Sequence, residues 1–279
     1  MTMPRTVVAH VSDIHFGRQA TGVAEGLLID LDAARPDVIV VSGDLTQTAG
    51  GREYADAAAF LARLPAPCLV VPGNHDIPAF PLTERLFLPF RRWRRHVSEG
   101  VAPEWSDGRV LIKGLNSARP FGPYLNWSRG RLSVAQVAAV ASAAHDPRIL
   151  LAAAHHPVAY GNDVRRAYDL VTGGEGLLAA LSGHPRSLVL LGHRHRSHVS
   201  LWSPASGERA ALPEGGVAAD EVIILHAGTA ASDRLRGEVN AWNRIVLDED
   251  GATVDVRRLT AEGWAVGERF VLRWAAAGG

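Results

Sequence analysis

An α/β layered fold, with two sheets face to face and helices outside them, is predicted by two features of this sequence. Up to residue 191, short runs of β-branched and aliphatic residues alternate with segments of helical spacing, the pattern of a layered α/β protein. Beyond residue 195 the helical spacing stops, and short strand-like runs follow one another between turns.

Taken in order, Val7 to Val11 forms the first apolar run, and Val23 to Arg35 reads as a helix with Leu27, Leu28 and Leu31 on its apolar side and Pro36 after its end. Val38 to Val41 is a second buried strand. Arg52 to Leu64 is an Ala-rich helix closed by Pro65 and Pro67. Cys68 to Val71 is a third strand, which places Cys68 as a small core residue. Ser133 and Gln136 have capping-box spacing and open a helix to about Ala144. Ile149 to Ala154 and Leu188 to Leu191 are buried strands, with a short helix from Gly176 to Leu181 between them. The later strands are Val199 to Trp202, Glu221 to His226, Ala241 to Leu247, Thr253 to Leu259 and Arg269 to Trp274. Asp248 to Gly251 is a hairpin turn signal, and Ser203 to Gly207 is short enough for a hairpin loop.

Five stretches carry metal-binding side chains just past strand ends: Asp13-Ile14-His15, Gly43-Asp44, Gly73-Asn74-His75-Asp76, His155-His156-Pro157 and Gly192-His193-Arg194-His195. Open α/β sheets build their sites at the carboxyl ends of strands. Carboxylate, imidazole and one carboxamide, without thiolate, suit divalent Mn, Fe, Co, Ni or Zn. Asp13 and His15 stand at i and i+2, which in extended chain puts both on one face, and His193 and His195 repeat the spacing. Gly43 allows a sharp turn before Asp44, whose two oxygens can bridge two ions. Two ions roughly 3.5–4 Å apart activate a water and clamp the oxygens of an in-line displacement at phosphorus.

At these residues the chain resembles the calcineurin-like metallophosphoesterase superfamily, whose pattern is D-x-H, G-D, G-N-H-[D/E], H and G-H-x-H. Every block is matched in order from residue 13 to residue 195. The resemblance implies a four-layer α/β/β/α sandwich of two mixed β-sheets and two divalent metal ions, with Mn, Fe or Zn as candidates. It implies Asp13, His15 and His195 on the first ion, Asn74, His155 and His193 on the second, and Asp44 bridging. His155 is preferred over His156 because the family ligand often stands two residues before a proline, here Pro157. His75 is implied to contact the phosphate and protonate the leaving oxygen, and Asp76 to orient it. The fragments Gly114 to Arg119 and Gly130-Arg131-Leu132 look like the class III cyclic-nucleotide phosphodiesterase-like branch, which adds Asn116, Arg119 and His156 as substrate-binding candidates.

The expected activity is therefore a phosphodiesterase acting through a metal-bridging hydroxide on a cyclic nucleotide or related diester. Its rivals are hydrolysis of a lipid-linked nucleotide pyrophosphate such as UDP-diacylglucosamine, phosphomonoester hydrolysis, and a non-catalytic metal-stabilised scaffold. Leu82 to Val97 combines Phe87, Phe90 and Trp93 with Arg91, Arg92, Arg94 and Arg95 around Pro89, which breaks or kinks any helix. A helix with apolar residues inward is the first reading; an arginine-rich phosphate lip and a peripheral membrane patch are the others. Arg194 is expected to point away from the site. His198 and His226 are expected to be satisfied core or edge residues, and His10, His96, His145 and His184 structural.

The 279 residues and 47% hydrophobic content support a sizeable core, and ligand blocks spread along the chain argue for one domain over 1–279. Formal net charge is +0, which gives no global pull toward nucleic acid or acidic membranes, so a small phosphoester is the expected partner. One cysteine excludes an internal disulfide, and no apolar stretch is long enough to span a membrane; the cytoplasm is the expected compartment.

Overall fold

The computed structural model describes residues 5–122, 126, 128–159 and 170–275. The opening residues 1–4, expected to lead into the first strand, lie outside them.

Three parallel strands begin the first sheet: β1 (Thr6–Val11), β2 (Val38–Val41) and β3 (Cys68–Val70). Helices α1 (Val23–Ala34) and α2 (Gly51–Leu61) connect them. Two short helices follow, α3 (Leu82–Phe87) and α4 (Arg91–His96), and Pro89 lies between them. Strand β4 (Glu104–Ser106) pairs antiparallel with β5 (Val110–Gly114), which opens the second sheet. Helix α5 (Val134–Ala141), β6 (Ile149–Ala153), α6 (Gly174–Ser182) and β7 (Ser187–Leu191) continue it. The remaining strands are β8 (His198–Ser203), β9 (Gly207–Ala210), β10 (Glu214–Val217), β11 (Val222–His226), β12 (Ala241–Leu247), β13 (Gly251–Thr260) and β14 (Gly263–Trp274).

Each sheet has seven strands, in the orders β10-β14-β13-β12-β1-β2-β3 and β4-β5-β6-β7-β11-β8-β9. Both are mixed: β1 pairs parallel with β2 and antiparallel with β12, while β11 pairs parallel with β7 and antiparallel with β8. The central parallel strands are apolar on both faces because both are covered. Val8, Val38 and Val40 point into the inter-sheet core with Ile112, Leu151 and Leu190. Their neighbours Ala9, Ile39 and Val41 pack outward against Leu27, Leu31, Tyr54 and Trp93. On the other sheet Leu150, Val189 and Ile224 pack outward against Val140, Leu177 and Leu178. The result is the expected four-layer α/β/β/α sandwich.

Local signals explain several boundaries. Ser133 Oγ accepts from Gln136 N at 3.2 Å, and Gln136 Oε1 accepts from Ser133 N at 3.1 Å, the expected capping box. Asp248 Oδ1 accepts from the amides of Asp250 and Gly251 at 3.0 Å each, fixing the β12–β13 hairpin. Cys68 departs from expectation: it is exposed, because β3 is the edge strand of its sheet and the first residue of that strand is left uncovered.

The Leu82 to Val97 segment divides at Pro89. Phe90 and Trp93 belong to the outer core of the first sheet, and the Trp93 indole donates to Gly100 O at 3.0 Å. Phe87 is 78% exposed. Glu84 ties Arg91 and Arg92 by contacts of 3.0 and 2.6 Å. Trp93→Ala is expected to cost about 3–5 kcal/mol in urea denaturation, whereas Phe87→Ala leaves stability within about 0.5 kcal/mol. Equal effects would remove this division of the segment.

Candidate metal centre

Five strand ends converge at one edge of the sandwich. The loops after β1, β2 and β3 bring Asp13, His15, Asp44, Asn74 and His75; those after β6 and β7 bring His155, His193 and His195. The loops are knitted together by backbone bonds, Asp13 N to Gly43 O at 3.1 Å and His15 N to Asp44 O at 3.0 Å. Asp13, His15, Asp44, His193 and His195 all have φ between 52° and 71°. Non-glycine residues avoid this left-handed region, at roughly 1–3 kcal/mol each, and such strain concentrates at functional sites. The i, i+2 pairs are therefore not built on extended chain. The left-handed turns separate His193 from His195 and send them to different centres.

The first centre joins Asp13, His15 and His195. Asp13 Oδ1 lies 3.2 Å from His195 Nε2 and 3.6 Å from His15 Nε2, and the two imidazole nitrogens are 3.2 Å apart. The second joins Asn74, His155 and His193: His193 Nδ1 is 3.1 Å from Asn74 Oδ1 and 3.2 Å from His155 Nε2. Asp44 Oδ2 lies between, 3.3 Å from His155 Nε2 and 3.7 Å from His15 Nε2. His156 also lies within reach of His155 and His193, and His75 within reach of His15 and Asp44, in groups that could hold an ion.

The donor set fits cations. His15 Nδ1 faces Thr46 O at 3.3 Å and His195 Nδ1 faces Arg234 O at 2.9 Å. A carbonyl only accepts, so each Nδ1 carries the proton and each Nε2 offers a lone pair. Asp13 Oδ1, fully buried, has no hydrogen-bond partner and looks onto those two lone pairs. Acceptors turned on one another in a buried space need a positive charge among them. Burial opposes charge on Asp13, yet positive charge and N–H donors on the facing imidazoles, His195 first, hold its carboxyl well below the usual range when a proton takes the place of a cation. Burial likewise opposes protonation of His155, but the Asp44 carboxylate raises it to about 9. Burial takes His193 down to about 3.

Close approach makes two glycines necessary. A Cβ on Gly43, whose φ is 96°, would stand 2.6 Å from His155 Nδ1, and one on Gly192 would collide with Ser12 Oγ and Asp13 Oδ2.

His75 stands at the rim. Its Nδ1 donates to Gln47 O at 2.7 Å, its Nε2 accepts from Arg234 Nη1 at 3.1 Å, and its backbone N–H donates to Asp44 Oδ1 at 2.9 Å. Asp76 does not orient that ring. Its carboxylate accepts instead from Thr46 N at 2.9 Å, Thr46 Oγ1 at 3.0 Å and Gly73 N at 2.9 Å, tying the β2 and β3 loops. Burial and the nearby Asp44 charge raise it to about 6. Orientation of His75 passes to the Gln47 carbonyl, because the 3₁₀ turn Asn74–Asp76 directs consecutive side chains apart.

A cleft of about 260 Å³ opens over the centres, lined by Asp44, Asn74, His75, His193, His195 and Arg234, with Ser128, Pro157, Arg194 and Arg236 around them. Asn116 and Arg119 are not among its described lining residues. Asn116 Oδ1 accepts from Ala118 N at 3.0 Å, and Arg119 Nε donates to Arg129 O at 2.6 Å; both serve their own loops. His156 is buried beside His155 and His193, its Nδ1 2.8 Å from Ser117 Oγ, its ring 4.9 Å from that of His193 and one ring nitrogen within reach of the same ion. Ser117, within the same fragment, is the residue that reaches the site, accepting from the amides of His155 and His156 at 3.3 and 3.2 Å.

The arginines of the cleft differ from those expected. Arg194, expected to point away, lines it, as do Arg234 and Arg236, whereas nothing from Leu82 to Val97 does. The missed signal was position: Asp233 to Arg236 follows β11, which runs parallel to β7, so its carboxyl end opens on the same edge. Replacing the exposed Arg94 and Arg95 by Gln is accordingly expected to leave KM for anionic phosphoesters unchanged at low salt; a raised KM would restore the phosphate lip. Of the remaining histidines, His10 bonds Ser42 Oγ at 2.9 Å and His96 stacks on Tyr54, as structural residues do. His226 is a buried core residue beside the Gly192 backbone, and burial holds its pKa well below the usual value.

The chain belongs to the calcineurin-like phosphoesterase family, whose model matches residues 6–197. It is 29% identical over 192 residues to a probable glycerophosphodiester phosphodiesterase of Arcobacter nitrofigilis, covering 67% of this chain and 66% of that protein. It is 24% identical over 210 residues to a probable cyclic nucleotide phosphodiesterase of a Synechococcus species, covering 69% of this chain and 74% of the other. Among solved structures, the purple acid phosphatase of yellow lupin seeds superposes with a TM-score of 0.70 at 13% identity, covering 98% of this chain and 54% of that one, a likeness of fold. The chain thus spans just under two thirds of the Arcobacter protein and about half of the lupin phosphatase.

Proposed function

We propose that the protein is a phosphodiesterase that uses two divalent metal ions. The observation that supports this best is the pair of buried acceptor clusters that share Asp44, with the unpartnered Asp13 Oδ1 turned on the lone pairs of His15 and His195. Asp13, His15 and His195 would hold one ion, Asn74, His155 and His193 the other, and Asp44 both. Ions in such sites supply a water that is nucleophilic at neutral pH and offset the charge of phosphate oxygens.

The chain's own groups account for the rest. Carbonyls of Thr46, Ser42 and Arg234 fix the rings of His15, His155 and His195. The Gln47 carbonyl holds the Nδ1 proton of His75, while burial lowers the pKa of the ring and its Nε2 accepts from Arg234 Nη1. To act as general acid the ring would take a second proton at Nε2 in place of that bond, with Arg234 turned toward the substrate, and pass it to a leaving alkoxide in the cleft. A diester is favoured over a monoester because the relatives at 24–29% identity carry phosphodiesterase names. Cyclic nucleotides and glycerophosphodiesters are the first substrates to offer.

The test is metal analysis with turnover of bis-p-nitrophenyl phosphate, extended to cyclic nucleotides, glycerophosphodiesters, UDP-diacylglucosamine and simple monoesters, with Mn, Fe or Zn supplied. Two ions per chain, with diester turnover lost on chelation and regained on metal return, is the expected result. Two bound ions with no turnover of any ester would support the scaffold reading instead.

A further inference from the structure

We infer that the cleft holds a second anionic subsite, formed by Arg234 and Arg236 with Arg194 beside them, and that its substrate is a phosphoester carrying another phosphate besides the one cleaved. The substrate class rests on the phosphodiesterase reading; the subsite does not.

The argument begins with position. Arg234 and Arg236 lie in the loop between β11 and β12, and both line the cleft that contains Asp44, Asn74, His75, His193 and His195. That loop is fixed from behind. Thr229 Oγ1 donates to Asp13 O at 2.6 Å, Asn240 Nδ2 donates to Ser232 O at 2.9 Å, and Arg234 O accepts from His195 Nδ1. The backbone that carries the arginines is therefore bonded to the same residues that form the first centre.

The partners of these guanidiniums come next. Arg234 Nη1 reaches Gln47 Oε1 at 3.3 Å and His75 Nε2 at 3.1 Å, both neutral acceptors. Among the described residues, neither Arg234 nor Arg236 is paired with a carboxylate. The contrast is nearby: Arg18 is paired with Asp233 at 3.1 Å, in the same loop but outside the cleft lining. Arg194 is anchored by Nη2 to Ala159 O at 3.1 Å, which keeps its guanidinium at the rim.

Charge then selects the ligand. Asp44 is the one carboxylate among the described residues lining the cleft. Asp13, Asp44 and a singly charged diester take up most of the charge of two divalent ions, and the charge of Arg234 and Arg236 has no carboxylate set against it among the described residues. A guanidinium presents a planar fork of donors that matches a phosphate, and charge-assisted bonds of that kind are the strong ones. A substrate with one phosphate leaves the subsite empty; a second phosphate fills it.

The probe is a pair of ligands differing by one phosphate, thymidine 5′-monophosphate and thymidine 3′,5′-bisphosphate, titrated by calorimetry into the manganese-loaded protein. The bisphosphate is expected to bind wild type at least roughly tenfold tighter at low salt, as one or two charge-assisted bonds allow. In Arg236→Gln and in Arg234→Gln/Arg236→Gln that ratio is expected to fall toward one, with manganese content retained, and Arg236→Lys is expected to keep part of it. Arg236 is exposed, so its single variant keeps the test open if the double variant does not fold. A ratio near one in wild type, or the same ratio in wild type and in Arg236→Gln, overturns the subsite. Turnover of bis-p-nitrophenyl phosphate is followed on the same preparations. In wild type, a ratio near one with turnover intact sinks the subsite alone, and a tenfold ratio without turnover sinks the catalytic reading alone. Thymidine 5′-(p-nitrophenyl phosphate) with and without a 3′-phosphate then distinguishes a substrate from a free phosphate ligand: faster turnover of the 3′-phosphorylated ester at low concentration supports the substrate claim, and equal turnover overturns it.

Discussion

Replacing Asp44 by Asn is expected to remove most turnover and to weaken binding of at least one metal ion. The carboxylate faces both centres, through Oδ2 near His155 and His15, and Oδ1 is already engaged by the His75 amide. Burial opposes its charge, but His155, His75 and His15 stabilise the ionised form so strongly that its pKa falls below the carboxylate range. Asn would keep the shape and remove the negative charge that both centres share. Removing one partner from a buried charged group costs about 3–5 kcal/mol, and that amount in a barrier is roughly 10²–10⁴-fold in rate. The measurement pairs metal analysis with kcat on bis-p-nitrophenyl phosphate. A variant with two bound ions and the wild-type rate would end the assignment of Asp44 as the shared ligand.

His75→Ala is expected to keep both metal ions and to slow hydrolysis of alkyl diesters by roughly 10²–10⁴-fold, the range of a general acid. The backbone N–H of His75, not its side chain, bonds Asp44, and the ring meets His15 only edge-on, with centroids 4.9 Å apart. The loss should shrink for nitrophenyl esters, whose leaving groups need little protonation. An equal loss with both leaving groups would assign His75 to binding the phosphate in the ground state.

The sequence announced the edge of the sandwich better than its outline. The candidate ligands were legible because each follows an apolar run long enough to mark a parallel strand buried on both faces, as at Val38 to Val41 before Asp44 and Leu188 to Leu191 before His193. Strands β9 and β10, Gly207–Ala210 and Glu214–Val217, went unseen because edge or near-edge strands with one open face need no apolar run and carry Gly, Glu and Arg. Cys68 failed for the same reason, since apolar neighbours cannot reveal that a strand sits at an edge. Asn116 and Arg119 flank Ser117, the residue of their fragment that bonds His155 and His156, and alternation along a loop does not reveal which of neighbouring side chains turns inward. Arg234 and Arg236 were hidden because a loop after a strand has no periodicity, and only the pairing of β11 beside β7 shows where it opens.

The candidate ligands come from both sheets, Asp13, His15, Asp44 and Asn74 from one and His155, His193 and His195 from the other. Metal ions gripped by both would act as rivets between two plates, and the work of seating them would be inseparable from the work of keeping the plates together. A chelator would then behave as a mild denaturant. Conversely, hollowing out the seam between the plates, for instance by Ile112→Ala, would loosen the grip on metal although that side chain carries no donor atom at all.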